Sequence, residues 1–135
     1  MDPQVLNFLN TERMSVLATQ LADGSPHTAA MHFVYQDNAL YFSTHFGNHK
    51  LQGLDSGHTG ASVTIGFSEA DWKTLQLDGH IEKLTDSTQA KSLILAKYPE
   101  SAKHMDAKTI FLKFTPTWWR YTDFKTSPPT TLSNS

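Results

Sequence analysis

Short segments of alternating apolar and polar residues, separated by turn residues, run through almost the whole chain, and only one stretch has the length and spacing of a substantial helix. Ala61, Val63, Ile65 and Phe67 alternate with Ser62, Thr64 and Gly66, the period of a strand with one buried face. Met14–Gln20 reads as a strand, Ala22-Asp23-Gly24-Ser25 as a turn and residues 27–35 as the returning strand, a hairpin with Asp-Gly chemistry. Gln36-Asp37-Asn38 turns the chain into a third strand over 39–44, and residues 74–84 pair with 60–67. Ile110, Leu112 and Phe114 open a last strand that continues through Trp118-Trp119-Arg120-Tyr121 and bends at Pro116. Six strands joined by short turns predict a mainly β fold, a small antiparallel barrel with peripheral helices.

The helices are few. Asp2 and Pro3 suit an N-cap and first helical residue, and Val5, Leu6, Phe8 and Leu9 then make one apolar face that can cover a barrel end. In residues 87–98, Ala90, Leu93, Ile94 and Lys97 recur at helical spacing until Pro99 forces a stop. At 135 residues the chain suits one domain, expected over residues 1–124, with the Ser, Thr and Pro-rich residues 125–135 as a mobile tail.

A net charge of −2 and a pI near 6.4 provide no general attraction to nucleic acid or an anionic membrane, so any anion must be caught locally. The absence of cysteine removes disulfides, thiolate catalysis and cysteine zinc sites, and any redox chemistry must come from a cofactor. The N-terminus has no basic region followed by an apolar run, and no segment approaches the roughly 18 apolar residues of a membrane span. The expectation is a cytoplasmic protein without a nucleic-acid or membrane partner.

One place concentrates anion-binding groups. The strand-like run Ala39-Leu40-Tyr41-Phe42 ends in Ser43 and Thr44, turns at Gly47, and reaches Asn48, His49 and Lys50 at an expected helix start. Backbone N–H groups at a helix N-terminus favour a phosphate, hydroxyls add short donors and Lys50 adds a mobile charge. The glycine spacing and Gly-Lys-Ser/Thr ending of a Walker loop are absent. The plainer reading is a polar turn with Asn48 as N-cap.

The order of helix, Met-Ser-Val-Leu-Ala-Thr strand, Asp-Gly-Ser-Pro turn, Tyr-Phe-Ser-Thr strand end, Lys50 helix and Asp78-Gly79-His80-Ile81-Glu82 strand resembles the pyridoxamine 5'-phosphate oxidase-like family of FMN-binding split barrels. The resemblance spans about residues 5–124 and includes Trp118 to Phe124 as the closing strand of the small members. It implies that Ser43, Thr44 and Lys50 hold the FMN phosphate, with Asn48 and His49 in the same loop. It also implies that the backbone of Ala29, Ala30, Met31 and His32 runs beside the isoalloxazine ring, that Thr74 contacts the ring, and that Trp119 or Trp118 contributes across a homodimer interface.

Two departures from that family carry expectations. Ala29 stands where its pyridoxamine-phosphate oxidases carry arginine, and His49 stands where arginine often assists with the phosphate, which predicts modest FMN affinity. The longer C-terminal substrate-recognition region is missing, so vitamin B6 phosphate is not the expected substrate. The resemblance implies a homodimeric flavoprotein oxidoreductase acting on a small-molecule substrate or electron acceptor, with the flavin carrying the chemistry. No catalytic residue is singled out; His32 or His45 is the nearest candidate proton donor. The second reading is a stress protein that stores or sequesters flavin or haem without turnover, with His32 or His45 as an axial ligand. A deazaflavin, with its larger phosphorylated tail, is a third option disfavoured by the few basic residues at 45–55.

Seven histidines raise a metal reading, particularly His45 and His49 at i, i+4 with His27 and His32 on a strand. No HExxH accompanies them, and an odd separation puts His27 and His32 on opposite faces, so no metal site is expected. Trp72 reads as part of a solvated loop, and Lys83, Lys91, Lys97 and Lys103 as a wet face.

Overall fold

The structure is a computed structural model describing residues 1–135. Helix α1, Pro3–Thr11, begins as its sequence dictates: the Asp2 Oδ1 accepts from the Gln4 N–H at 2.8 Å, and Pro3 occupies the first turn, where no donor is needed. Its buried face is Val5, Phe8 and Leu9. Strand β1, Met14–Gln20, pairs antiparallel with β2, Pro26–His32, across a turn in which Asp23 Oδ1 accepts from Ser25 N and Oγ and Gly24 takes φ 85°.

The strand expected over 27–35 divides at Phe33. Residues up to His32 stay with β1, whereas β3, Val34–Gln36, pairs with β4, Ala39–His45. Asp37 and Asn38 supply the two left-handed positions of that tight hairpin, at φ 48° and 61°. Strands β5, Gly60–Ile65, β6, Lys73–Lys83, and β7, Thr109–Asp123, complete the antiparallel order β2-β1-β5-β6-β7-β4-β3. Because β2 and β3 are consecutive in the chain yet stand at opposite ends of that order, the sheet must curl until its ends meet at Phe33. This is the split barrel.

Leaving both ladders frees the Phe33 carbonyl, which accepts from Tyr98 Oη at 2.6 Å and Lys97 Nζ at 3.3 Å. Both donors end helix α3, Thr88–Lys97, which lies outside the barrel. Lys97 also donates to the carbonyls of Leu9 and Glu12 at the end of α1. It is half-buried, not part of a wet face, because its ammonium serves three carbonyls, two at the end of α1 and one at the Phe33 break.

The sheet has eight strands, not six, because the returning strand splits and β8, Thr130–Ser133, forms in the expected tail. Strand β4 covers β7 only from Thr109 to Phe114, and β8 fills the vacant edge at Arg120–Asp123. Asn134 then brackets Trp119, accepting from its N–H at 3.1 Å and donating to its carbonyl at 3.4 Å. β-branched threonines suit such a strand despite a composition that suggests mobility. The bend near Pro116 is a bulge opposite Asp78 and Gly79, where a side chain on Gly79 would stand 2.1 Å from the Thr115 oxygen.

The barrel interior holds Leu17, Phe42, Val63, Ile65, Leu77 and Phe114 among others, closed by Phe33 and by Val5, Phe8 and Leu9. A second cluster packs Ala90 and Ile94 of α3 and its C-cap Tyr98 on Val34, Ala39, Tyr41 and Phe111. Strand β4 is therefore buried on both faces, which accounts for its unbroken apolar run before Ser43.

Candidate functional site

Strand β4 emerges from between these two cores and delivers Ser43 and Thr44 to the surface region beside α3. Gly47 takes φ 84°, and the chain continues into a single 3₁₀ turn, His49–Leu51, and the short helix α2, Gln52–Asp55. The expected helix start is thus too brief for a strong dipole, and Asn48 does not cap it. Its Nδ2 instead donates to Thr44 Oγ1 at 2.6 Å. Lys50 Nζ donates to the same oxygen at 3.0 Å.

Thr44 is 6% exposed and its oxygen already accepts two hydrogen bonds, so its own proton is available to a further acceptor. Lys50 retains donors too. Burial pushes its pKa down, and it has no carboxylate partner: the two ion pairs of the chain, Arg13 with Glu100 and Lys83 with Asp55, lie elsewhere. A half-buried ammonium beside a hydroxyl and an amide, all donating and none neutralised, is chemically a receptor for an anion.

The cleft beside Lys50 has a volume of about 230 Å³ and is lined by Ala30, Met31, His32, Ser43, Ile94, Tyr98 and Ser101. Strand β2 ends the sheet order, so one row of its backbone N–H and C=O groups has no ladder partner. His32 stacks on Tyr98 with centroids 4.5 Å apart and planes 13° from parallel. Partial burial, then the positive charge of Arg13, lowers its pKa, which favours the uncharged imidazole.

Several expected site residues stand apart from this cleft. Ala29 alternates onto the half-buried face of β2. The His49 ring meets His27 edge-on at 5.1 Å, and its Nδ1 pairs with Gln52 Nε2 at 3.1 Å, so it does not line the cleft. Thr74 pairs with Thr122 and Trp119 with Leu77, on β6 and β7. Neither Thr74 nor Trp119 lines the cleft.

Sequence reasoning missed Ile94, Tyr98 and Ser101, which reach the cleft only because α3 folds back over β4. It also missed Gly53. A side chain there would stand 1.7 Å from the Gln20 carbonyl oxygen, so the backbone of α2 rests directly on the end of β1 and sets the position of Lys50 three residues earlier.

The family model described as pyridoxamine 5'-phosphate oxidase matches residues 1–123. The chain belongs to the pyridoxamine 5'-phosphate oxidase family. Solved structures share the family fold at low identity. General Stress Protein 26 from Bacillus anthracis superposes with a TM-score of 0.74 at 22% identity, over 96% of this chain and 95% of that one. The heme storage protein HutZ from Vibrio cholerae has 0.73 at 15%, over 85% and 89%. An FAD-binding protein from Mesorhizobium loti has 0.72 at 18%, over 90% and 94%. No curated protein sequence matches the chain. No helix is long and apolar enough to cross a membrane.

Proposed function

We propose that this family member is a flavoprotein oxidoreductase that binds FMN, its phosphate held by Lys50, Thr44, Asn48 and Ser43. The observation that carries the reading is the set of convergent donors around Thr44 Oγ1 with no acidic partner. A flavin, when bound, supplies hydride or electron transfer. The chain's own task is to bind and orient: Lys50 and the hydroxyls fix the phosphate, and the unpaired edge of β2 at Ala30–His32 offers backbone groups to the polar rim of a ring. Thr74 and Trp119 do not line the cleft of their own chain, which supports a homodimer in which a second copy provides them.

Titration of the purified protein with FMN, followed by absorption, tests this. Saturable binding is expected, with Lys50→Ala weakening it about ten- to hundredfold, the worth of one charge-assisted hydrogen bond. Unchanged affinity in the variant sinks the phosphate assignment. Storage of flavin or haem without turnover has one observation in its favour: His32 lines the cleft, and its lowered pKa favours the neutral imidazole that ligates iron. A Soret band on adding haem, with no reduction of bound flavin by nicotinamide cofactors, identifies that case.

A further inference from the structure

A cleft of about 240 Å³ lies between α1 and the paired ends of β6 and β7, and it shares no lining residue with the Lys50 cleft. One wall is helical. Gln4, Asn7, Thr11 and Glu12 succeed one another at helical spacing along α1, beside the Phe8 that anchors the helix in the barrel core. The facing wall is Asp71, Lys73 and Tyr121.

Tyr121 marks this space as more than a surface hollow. The residue is 2% exposed and its phenol has no hydrogen-bond partner, yet Thr19 Oγ1 is the one unpartnered side-chain atom that is sealed from solvent. The Tyr121 oxygen therefore opens into the cleft that the residue lines. Phe8 holds the ring edge-on, with centroids 5.6 Å apart and planes at 66°. Burial, then the charges of Asp123 and Asp2, pushes the phenol pKa up, so the group keeps a proton to donate as well as lone pairs to accept. Its hydrogen bond must be completed from the cleft.

The strand wall stands on a fixed turn. Trp72, between Asp71 and Lys73, takes φ 48°, uncommon for a bulky side chain, and is held by its N–H to the Ser68 carbonyl at 2.8 Å and by the Phe124 N–H to its own carbonyl at 3.0 Å. Gly66 permits the close approach beneath it, since a side chain there would stand 2.1 Å from the Lys73 carbonyl oxygen and 2.9 Å from Phe8 Cζ.

The charges in the cleft have both signs, and none is paired within the chain. Glu12 and Asp71 carry carboxylates and Lys73 an ammonium, and neither ion pair of the protein includes them. Gln4 and Asn7 add neutral amides, and Thr11, whose proton goes to the Phe8 carbonyl at 3.3 Å, adds an acceptor. A ligand of one charge leaves the opposite charge in the cleft unanswered. A compact zwitterion with polar groups of its own answers both.

We propose that this cleft binds a polar α-amino acid, its ammonium toward Glu12 and Asp71, its carboxylate toward Lys73, and its side chain among the amides of α1 and the Tyr121 hydroxyl. The site stands apart from the flavin reading and does not depend on it.

Titration of the isotope-labelled protein with L-serine, L-asparagine and L-glutamine, followed amide by amide in NMR spectra, tests this, with ethylamine and propionate as single-charge controls. At least one amino acid is expected to shift the amides of Asn7, Thr11 and Lys73 saturably, and each control to bind at least about tenfold more weakly. Tyr121→Phe keeps the ring against Phe8 and removes only the hydroxyl, and it is expected to weaken the amino acid about fivefold; Lys73→Met is expected to weaken it about tenfold. Absence of saturable shifts with all three amino acids, shifts confined to the Lys50 cleft, a control that binds as well as the amino acid, or undiminished binding in either folded variant overturns the assignment.

Discussion

Lys50 and Lys97 are both half-buried without a carboxylate partner, and their surroundings assign them different work. Lys50 meets only side-chain oxygen and keeps donors free, whereas Lys97 donates to the carbonyls of Leu9, Glu12 and Phe33 and lies 4.3 Å over the Phe33 ring. Burial, aided by the charge of Arg13, lowers the Lys97 pKa from 10.5 to about 8. Between those values the unfolded chain binds one proton more than the folded chain at this residue, so its contribution to stability rises with pH. Tyr98, held up to about 12 by burial, opposes that trend only at the top of the window, where the unfolded phenol begins to titrate near its ordinary value of 10.0. The urea midpoint of wild type is therefore expected to gain on that of Lys97→Met between pH 7 and about pH 9.5. A shrinking advantage over that range contradicts the account. Sequence spacing put Lys97 on the apolar face of α3 while its charge argued for solvent; only the three carbonyls left without partners decide between them.

At the scale of elements, the contact between α2 and β1 and the pairing of β8 with β7 hold the functional surface. Gly53→Ala forces the α2 backbone off Gln20, and the expected result is lower thermal stability together with reduced flavin affinity although Lys50 is unaltered. Normal affinity in a folded Gly53→Ala protein removes Gly53 from the positioning role. Deleting residues 127–135 strips β8 from Arg120–Asp123 and Asn134 from Trp119. Faster amide exchange is expected at the exposed half of β7, with a stability loss of about 2 kcal/mol for a few ladder bonds and partial burial of Leu132. Unaltered exchange at Arg120–Asp123 rules out that pairing in solution. Strand positions were legible because alternation at Gly60–Ile65 and Met14–Gln20 reflects one buried face. The break at Phe33 and the strand at Thr130–Ser133 were not, because each depends on which edge of a distant strand is vacant.

For the whole molecule, the absence of Thr74 and Trp119 from the lining of the Lys50 cleft carries the expectation of a dimer. Light scattering is expected to give twice the chain mass of 15.1 kDa, with one flavin bound per chain. A monomer that binds flavin with unchanged affinity in Trp119→Ala contradicts a site shared between copies. Exposed Trp72 stacks on Phe124 at 5.3 Å within its own chain, so its exposure alone does not mark an interface.

The amino-acid sequence by itself determined the local grammar: alternating strands, an Asp-Pro helix start, tight turns at Gly24 and Asp37-Asn38, and a lysine placed after a hydroxyl-tipped strand. These follow from side-chain chemistry acting over a few residues, which is why they are readable in order. Tertiary structure alone decided that His49 turns toward His27, that Tyr98 and Ser101 wall the cleft, and that Asn48 serves Thr44 instead of capping a helix. Those outcomes depend on the curl of the sheet and the return of α3 over β4, contacts between residues far apart in the chain, for which no short-range pattern exists.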